Sequence, residues 1–146
     1  MLERFAMIKI TKETSVSIND VLHLYQAVGW TNYTNQPQML AQALTHSLAT
    51  YLARDGEEIV GLVRLIGDGF SSVFVQDLIV LPTYQRQGIG STLMKQALSD
   101  YKDTYQIQLA TEDSEKTLGF YRSLGFETLS TYDCIGMIWV DRKKLQ

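Results

Sequence analysis

The residues whose types and spacing most clearly point to a chemical function lie between Val80 and Ser91, in the sequence Leu-Pro-Thr-Tyr-Gln-Arg-Gln-Gly-Ile-Gly. A β-rich segment ends before them, a polar turn follows, and Gly88 and Gly90 open a helical pattern. The first N–H groups of a helix have no helical partner and carry partial positive charge. Glycine lets a ligand approach the backbone closely, and Arg86 adds a positive charge. The segment therefore predicts an anion site with phosphate as its natural ligand, a plain tight turn being the alternative.

Two better-known phosphate motifs do not fit this segment. A P-loop requires Gly-Lys followed by Ser or Thr, and the chain has no such sequence. The dinucleotide-binding fingerprint requires a third glycine at the position that Leu93 occupies here. The predicted phosphate cradle is therefore of another kind.

The elements that must position this loop alternate between strands and helices, which predicts an α/β (α+β) mixed sheet with helices on its faces. Ser17 is a predicted N-cap, Gly29 a predicted helix end, and Asp55-Gly56 a predicted hairpin turn. Residues 30–37 are predicted as a polar loop. The predicted order is β-α-α-β-β-β-α-β-α-β-β, with strands at 6–11, 51–54, 58–66, 72–80, 105–110, 126–131 and 135–140, and helices at 18–28, 37–48, 88–101 and 114–124.

Composition narrows the possible classes of protein. The 146 residues fit one domain, 1–146, and the 13 Lys and Arg against 16 Asp and Glu give a net charge of −3. A slightly acidic chain argues against a nucleic-acid partner, which usually requires a basic face. No apolar run is long enough to cross a membrane, and no signal peptide is visible, so we expect a cytoplasmic protein. Cys134 is the single cysteine, and no metal site is expected.

Two motifs resemble the GNAT superfamily of N-acetyltransferases. Residues 85–90, Gln-Arg-Gln-Gly-Ile-Gly, resemble its Q/R-x-x-G-x-G/A signature, and residues 77–82 look like the fourth strand that precedes it. Residues 119–126, Gly-Phe-Tyr-Arg-Ser-Leu-Gly-Phe, are similar to the Y-x-x-x-G-F element of the family. Because both motifs occur in order on the expected elements, the chain is identified as a small, single-domain, bacterial-type member, and the resemblance implies the GNAT acyl-CoA N-acyltransferase fold.

The resemblance implies acetyl-CoA as the co-substrate. In GNAT enzymes the backbone amides of the signature loop hold the pyrophosphate, and the pantetheine arm lies between the splayed fourth and fifth strands. Many relatives have an asparagine seven residues before the motif tyrosine, where this chain has Ser114. The residues implied to contact the coenzyme are Leu78, Ile79, Val80, Gln85, Arg86, Gln87, Gly88, Ile89, Gly90, Ser91, Ser114 and Tyr121.

The implied chemistry is direct acetyl transfer in a ternary complex. Tyr121 matches the family tyrosine that protonates the departing thiolate, and the ordinary tyrosine pKa of about 10 lies close to that of a thiol. A backbone N–H near Val80 is the implied oxyanion donor. Asp77 is the implied carboxylate base, with a purely structural role as the equal alternative, while other family members use water chains. Cys134 is distant in sequence from both motifs and is not expected to be a nucleophile.

The acceptor site of the family is bordered by the loop between the first two helices. Trp30 and Tyr33 lie in that loop, where they are expected either to form a wall for an apolar or aromatic amine or to pack the domain edge. Histidine is a common proton shuttle near neutral pH, which makes His46 a candidate, although a satisfied or surface role is the commoner one for a lone helix histidine. Tyr132 and Trp139 fit a C-terminal strand pair that forms a homodimer in relatives.

These features lead to one main functional hypothesis and two alternatives. The main hypothesis is a small-molecule N-acetyltransferase that acts on a primary amine, with no nucleic-acid or membrane partner. The first alternative is a protein or peptide N-acetyltransferase, which requires an open acceptor groove. The second is a non-catalytic acyl-CoA-binding regulatory module, because a fold does not fix a function.

Overall fold

The structure, a computed structural model, describes residues 7–145. The chain divides into two compact units, the first ending at Gln108 and the second beginning at Leu109. The single domain expected over 1–146 stays a prediction. The elements in chain order are β1 (Ile8–Glu13), α1 (Ile18–Ala27), α2 (Thr31–Thr34), α3 (Pro37–Thr45), β2 (Ala49–Asp55), β3 (Glu58–Gly67), β4 (Ser72–Val80), a 3-10 turn (Pro82–Tyr84), α4 (Ile89–Asp100), β5 (Gln106–Leu109), α5 (Glu115–Ser123) and 3-10 turns at Leu129–Tyr132 and Arg142–Leu145.

The five strands follow chain order in one mixed sheet, from β1 to β5. Strands β1 to β4 pair antiparallel with their neighbours. In the β2–β3 hairpin Asp55 lies opposite Glu58, so the predicted turn is present and Gly56 supplies its positive φ of 62°. β4 contains one unpaired extra residue, Gln76, where the register with β3 shifts. Such a bulge changes the direction of neighbouring side chains.

Helices α1 and α3 pack their apolar sides into the core of the first unit. The Ser17 hydroxyl accepts a hydrogen bond from the Asn19 N–H at 3.3 Å, and Gly29 follows the helix with a φ of 71°. Both helix-end predictions are therefore confirmed. Pro37 begins α3 as expected, but the helix ends at Thr45. The buried residues of the two helices are Val21, Leu24, Tyr25, Leu40 and Leu44.

Most predicted strands and helices are confirmed with small shifts at their ends. β4 matches its predicted bounds, and α4 and α5 lie within theirs. β1 begins two residues later than predicted, and the predicted residue Ala6 lies outside the described residues. The predicted loop at 30–37 contains the four-residue helix α2. The mixed α/β fold class is confirmed.

The two strands predicted at 126–131 and 135–140 are wrong. The structure has a 3-10 turn at Leu129–Tyr132 and no regular element from 135 to 140. In residues 135–140, consecutive side chains that would lie on opposite faces of a strand are both exposed, with Met137 at 94% and Ile138 at 80%. Strand propensity reflects packing on a pleated, half-buried surface, and this segment has no buried face in the described chain.

Candidate functional site

The glycine loop, defined as residues 85–91, leads from the end of β4 into α4. Gly88 caps the helix in the left-handed conformation, with a φ of 80°. Arg86 also has a positive φ, 64°, which is uncommon for a residue with a side chain. The first helical bond runs from the Thr92 N–H to the Gly88 carbonyl at 2.9 Å. The N–H groups before Thr92 therefore begin the helix without helical acceptors, as the anion-site prediction requires.

Hydrogen bonds attach residues 81–85, which lead into the glycine loop, to the sheet. The Leu81 N–H donates to the Val60 carbonyl at 2.9 Å, and the Gln85 side-chain amide donates to the Val80 carbonyl at 3.0 Å. Buried Tyr84 donates its hydroxyl to an Asp55 carboxylate oxygen at 2.6 Å. These bonds join the loop to β3, to β4 and to the end of β2. A preformed loop of this kind loses little entropy when it binds a ligand.

The loop also has the space and charge that a phosphate group requires. A Cβ atom built on Gly88 would meet no other atom within 4 Å, so the region above the loop is open. Gln85, Arg86 and Gly88 are exposed. The positive helix terminus and the Arg86 guanidinium attract an anion to this open region. The residues present therefore fit the pyrophosphate of the expected co-substrate.

β4 carries the three residues expected along the pantetheine arm. The Ile79 side chain is buried in the core, whereas Leu78 and Val80 project from the opposite face and are half-buried. Val80 lies opposite Gly61 of β3. β3 occupies one edge of β4 and β5 adjoins the other, so only main-chain groups of β4 that β5 leaves unpaired can bind a ligand as an added strand.

A family model for the acetyltransferase (GNAT) domain matches residues 46–128, more than half of the chain. The chain belongs to the GNAT acetyltransferase family. Members of this family generally use acetyl-CoA and transfer its acetyl group to amines. The match includes the glycine loop, α5, and the helix α4 and strand β5 between them.

A GNAT-family acetyltransferase from Streptococcus pneumoniae is 69% identical, with a TM-score of 0.85 over 93% of this chain and 99% of that one. Serotonin N-acetyltransferase 2 of rice, a chloroplastic protein, is 27% identical over 77% of this chain. GCN5-related N-acetyltransferase 1 of Arabidopsis thaliana, also chloroplastic, is 25% identical over 88% of this chain. The chain spans 58% and 65% of the lengths of these two curated relatives.

Asp77 lies at the centre of a buried hydrogen-bonded cluster. One carboxylate oxygen accepts from Arg64 Nε at 2.7 Å and from the Tyr25 hydroxyl at 2.8 Å. The other oxygen accepts from the Tyr33 hydroxyl at 2.9 Å. Arg64 also donates to the Ser47 hydroxyl at 3.2 Å. The general-base role of Asp77 stays a prediction, but a base must meet its substrate, and this carboxylate is 2% exposed with both oxygens occupied.

The cluster fixes the protonation of its tyrosines. Burial, followed by the charge of Asp77, raises the pKa of both Tyr25 and Tyr33. Both phenols therefore stay neutral and keep donating to the carboxylate. Burial opposes the charge of Arg64, but the Asp77 carboxylate outweighs it and raises the pKa of the guanidinium. A buried pair of opposite charges is tolerated when hydrogen bonds complete its geometry, as they do here.

Arg64 and Tyr25 were not among the predicted site residues. Arg64 interrupts the apolar run of residues 59–66, and that interruption is the sequence signal for a buried cation. It lies directly opposite Asp77 in the β3–β4 register. The sequence gives no signal for the role of Tyr25, because a buried tyrosine hydroxyl usually finds a partner but that partner lies far away in sequence.

Trp30 and Tyr33 form one aromatic group with Tyr25. The Tyr25 and Tyr33 ring centroids are 5.2 Å apart, and each of these rings lies 6.2 Å from that of Trp30. Trp30 and Tyr33 are both half-buried. The structure thus brings together the two residues predicted to line the acceptor site. It also places Asp77, which accepts a hydrogen bond from the Tyr33 hydroxyl, beside them. Their role in binding an acceptor stays a prediction.

The second unit carries Tyr121 on α5, a half-buried residue. Its ring packs edge-on against Phe120 at 5.0 Å and Phe126 at 5.9 Å. Burial raises the pKa of its phenol, so Tyr121 keeps the proton that a general acid must hold. Ser114 caps α5, accepting from the Thr117 N–H at 3.2 Å. Contact of either residue with the coenzyme stays a prediction.

The two histidines of the chain lie within hydrogen-bond distance of main-chain carbonyls. His46 Nδ1 lies 2.8 Å from the Gln42 carbonyl, and His23 Nε2 lies 2.7 Å from the Ile59 carbonyl. Cys134 is an exposed free thiol. Within residues 7–145, no group of three or more His, Cys, Asp or Glu side chains could hold a metal ion. In the same range, no helix combines the length and apolar character of a membrane span.

Proposed function

We propose that this protein transfers the acetyl group of acetyl-CoA to the primary amine of a small molecule. The observation that carries the proposal is the glycine loop, which is preformed, open and matched to the GNAT family model. Acetyl-CoA supplies the activated acetyl group. Transfer is direct, because Cys134 lies at an exposed position away from the glycine loop in sequence and no acyl-enzyme is required.

Each part of the chain has a separate task in this proposal. The main-chain amides of residues 85–91 and the Arg86 guanidinium hold the pyrophosphate, and the main chain of residues 78–80 orients the arm that follows. A backbone N–H near Val80 stabilises the oxyanion. The Tyr121 phenol donates its proton to the thiolate as the C–S bond breaks. The proton that the attacking nitrogen loses passes to solvent, from which the phenol is protonated again. The acceptor amine must arrive neutral, because an ammonium has no lone pair to attack the thioester.

The acceptor is proposed to carry an aromatic or apolar group beside its amine. Trp30 and Tyr33 offer half-buried ring faces, and aromatic rings bind both apolar groups and cations. The name of the rice relative, a serotonin N-acetyltransferase, points to the same chemical class. The net charge of −3 also suits a cationic amine better than an anionic acceptor.

Release of the coenzyme thiol tests the proposal. The protein is incubated with acetyl-CoA and separate panels of arylalkylamines, polyamines, aminoglycosides and short peptides. Turnover on arylalkylamines is the expected result. Turnover on peptides alone favours the protein N-acetyltransferase, and tight acetyl-CoA binding without turnover on any amine favours the regulatory module.

Gly88→Ala is expected to weaken acetyl-CoA binding by about tenfold. The added methyl group strains a φ of 80° and occupies the open region above the loop. Gly56→Ala is the matched control, since Gly56 also has a positive φ and open surroundings but lies in the β2–β3 hairpin. Calorimetric titration measures the Kd for acetyl-CoA. Equal losses in both variants would show that strain alone, rather than the glycine loop, causes the effect.

The protein is also proposed to form a homodimer through its C-terminal segment. Residues 135–139 expose Ile135, Met137, Ile138 and Trp139 at 80% or more, and a contiguous apolar surface of this kind marks an interface. Trp139→Asp is expected to shift sedimentation from dimer to monomer. Phe70→Asp, at an 84% exposed aromatic residue of the first unit, is the control and should leave the dimer intact. A wild-type monomer at high concentration would contradict the proposal.

A further inference from the structure

The Asp77 cluster, defined as Tyr25, Tyr33, Arg64 and Asp77, is larger than a catalytic base requires. A base needs a free lone pair that meets the substrate, whereas three donors take three of the four lone pairs of this carboxylate, which is only 2% exposed. In residues 7–145 no buried side-chain nitrogen or oxygen lacks a hydrogen-bond partner. The cluster is therefore a saturated hydrogen-bond network of the kind that fixes structure. Its one half-buried member, Tyr33, shows which element it fixes.

Tyr33 belongs to the short helix α2. A four-residue helix is too short to be stable by itself, and α2 has no side-chain cap and no buried residue. Its Tyr33 hydroxyl donates to Asp77 and accepts from Arg64 Nη2 and Gln76 Nε2, both at 3.3 Å. Tyr33 thus connects the loop between α1 and α3 to the buried charges of β3 and β4.

We infer that Arg64 and Asp77 are positioning residues that hold the Tyr33 ring, and with it Trp30, in the orientation that binds the acceptor. Asp77 accordingly fixes a phenol and takes no proton from the amine. This inference rests on the proposed function, because it assigns Tyr33 to the acceptor side. It also makes a structural claim, the immobilisation of Trp30, that holds whether or not an acceptor is known.

The conformational claim is tested by fluorescence. Trp30 and Trp139 are the two tryptophans of the chain, and Trp139 is 96% exposed, so Trp139→Phe leaves Trp30 as the single reporter. In that background Tyr33→Phe removes one hydroxyl and keeps the ring. We expect a red shift of Trp30 emission and a higher acrylamide quenching constant, because the loop has lost its anchor.

Tyr51→Phe is the matched control for the loss of a phenol. Tyr51 is fully buried and donates its hydroxyl to Asp100 at 2.7 Å, in a part of the sheet that does not contact α2 through this bond. The variant should keep the Trp30 spectrum of the background protein. An unchanged spectrum in Tyr33→Phe, matching that of Tyr51→Phe, would overturn the inference even if no acceptor were found.

The claim that the cluster orients the acceptor site is tested by comparing the KM for the acceptor with the KM for acetyl-CoA. Tyr33→Phe is expected to raise the acceptor KM by about tenfold, the equivalent of about 1.4 kcal/mol for one hydrogen bond to a charged group, with little change in the KM for acetyl-CoA. Asp77→Asn should raise the same KM, and combining both changes should add little, because they break one connection.

The pH profile separates a positioning residue from a base. If Asp77 positions Tyr33, the profile of kcat against pH keeps its acidic limb in Asp77→Asn. If Asp77 is the base, that limb disappears in Asp77→Asn and remains in Tyr33→Phe, which overturns the inference. Tyr33→Phe retains the Arg64–Asp77 pair and therefore decides the conformational claim even if Asp77→Asn fails to fold.

Discussion

Replacing Tyr121 with phenylalanine is expected to lower kcat by about 100-fold or more while the KM for acetyl-CoA changes less than about twofold. Phenylalanine keeps the edge-on packing against Phe120 and Phe126, so α5 should retain its structure. Only the proton donor is lost, and the thiolate must then leave unprotonated. Steady-state thiol release at saturating acceptor measures the change.

Tyr132→Phe provides the matched control for this substitution. Tyr132 belongs to the same unit, is 69% exposed and is not assigned a role in the reaction. Its kcat should equal that of the wild-type protein. An unchanged kcat in Tyr121→Phe would remove Tyr121 from the mechanism and leave its ring with a packing role alone.

The pH dependence of the same reaction follows from the burial of Tyr121. Burial raises the pKa of the phenol above its ordinary value of about 10, and the phenol is the acid form that the reaction requires. The acid form therefore predominates up to pH 10 and is lost only as the pH rises through the raised pKa. We expect kcat to show no basic limb from this group below about pH 10. A basic limb near pH 8 that disappears in Tyr121→Phe would contradict this expectation.

Features encoded by neighbouring residues could be predicted from the sequence. Ser17 and Gly29 bound α1, and β4 and the glycine loop occur where the local pattern places them. The reason is that caps, positive-φ turns and strand alternation depend on a few adjacent residues. The glycine loop, to which the coenzyme pyrophosphate is proposed to bind, is of this local kind, and a short motif therefore predicts its position.

Features that depend on distant residues were missed. Asp77 was predicted with two roles left open, because its partners Arg64, Tyr25 and Tyr33 lie 13, 52 and 44 residues away in sequence. The sequence pattern predicted strands over 126–131 and 135–140, but a strand also needs a neighbour to pair with, and neither segment is paired as a strand in the described chain. The Asp77 cluster, which is proposed to position the acceptor site, is of this non-local kind.

Arg64→Met is expected to lower the free energy of unfolding by about 3–5 kcal/mol, which is a large part of the stability of an ordinary domain. The substitution leaves the Asp77 carboxylate buried at 2% exposure without its cation. Denaturant titration measures the loss. Arg54→Met is the matched control, because Arg54 pairs with Glu13 at 3.1 Å but both side chains are about one-third exposed. That pair should contribute less than about 1 kcal/mol.

Replacing the three buried members of the Asp77 cluster, while Tyr33 is kept, should restore most of the stability that Arg64→Met loses. In the triple variant Arg64→Met, Asp77→Leu and Tyr25→Phe, neither a buried charge nor the buried Tyr25 phenol is left without a partner, and apolar groups of similar size often replace a buried ion pair without net loss. A triple variant less stable than Arg64→Met would show that the cluster itself stabilises the fold. If the triple variant folds and still has a raised acceptor KM, these charges are not required for folding but are required to orient Tyr33.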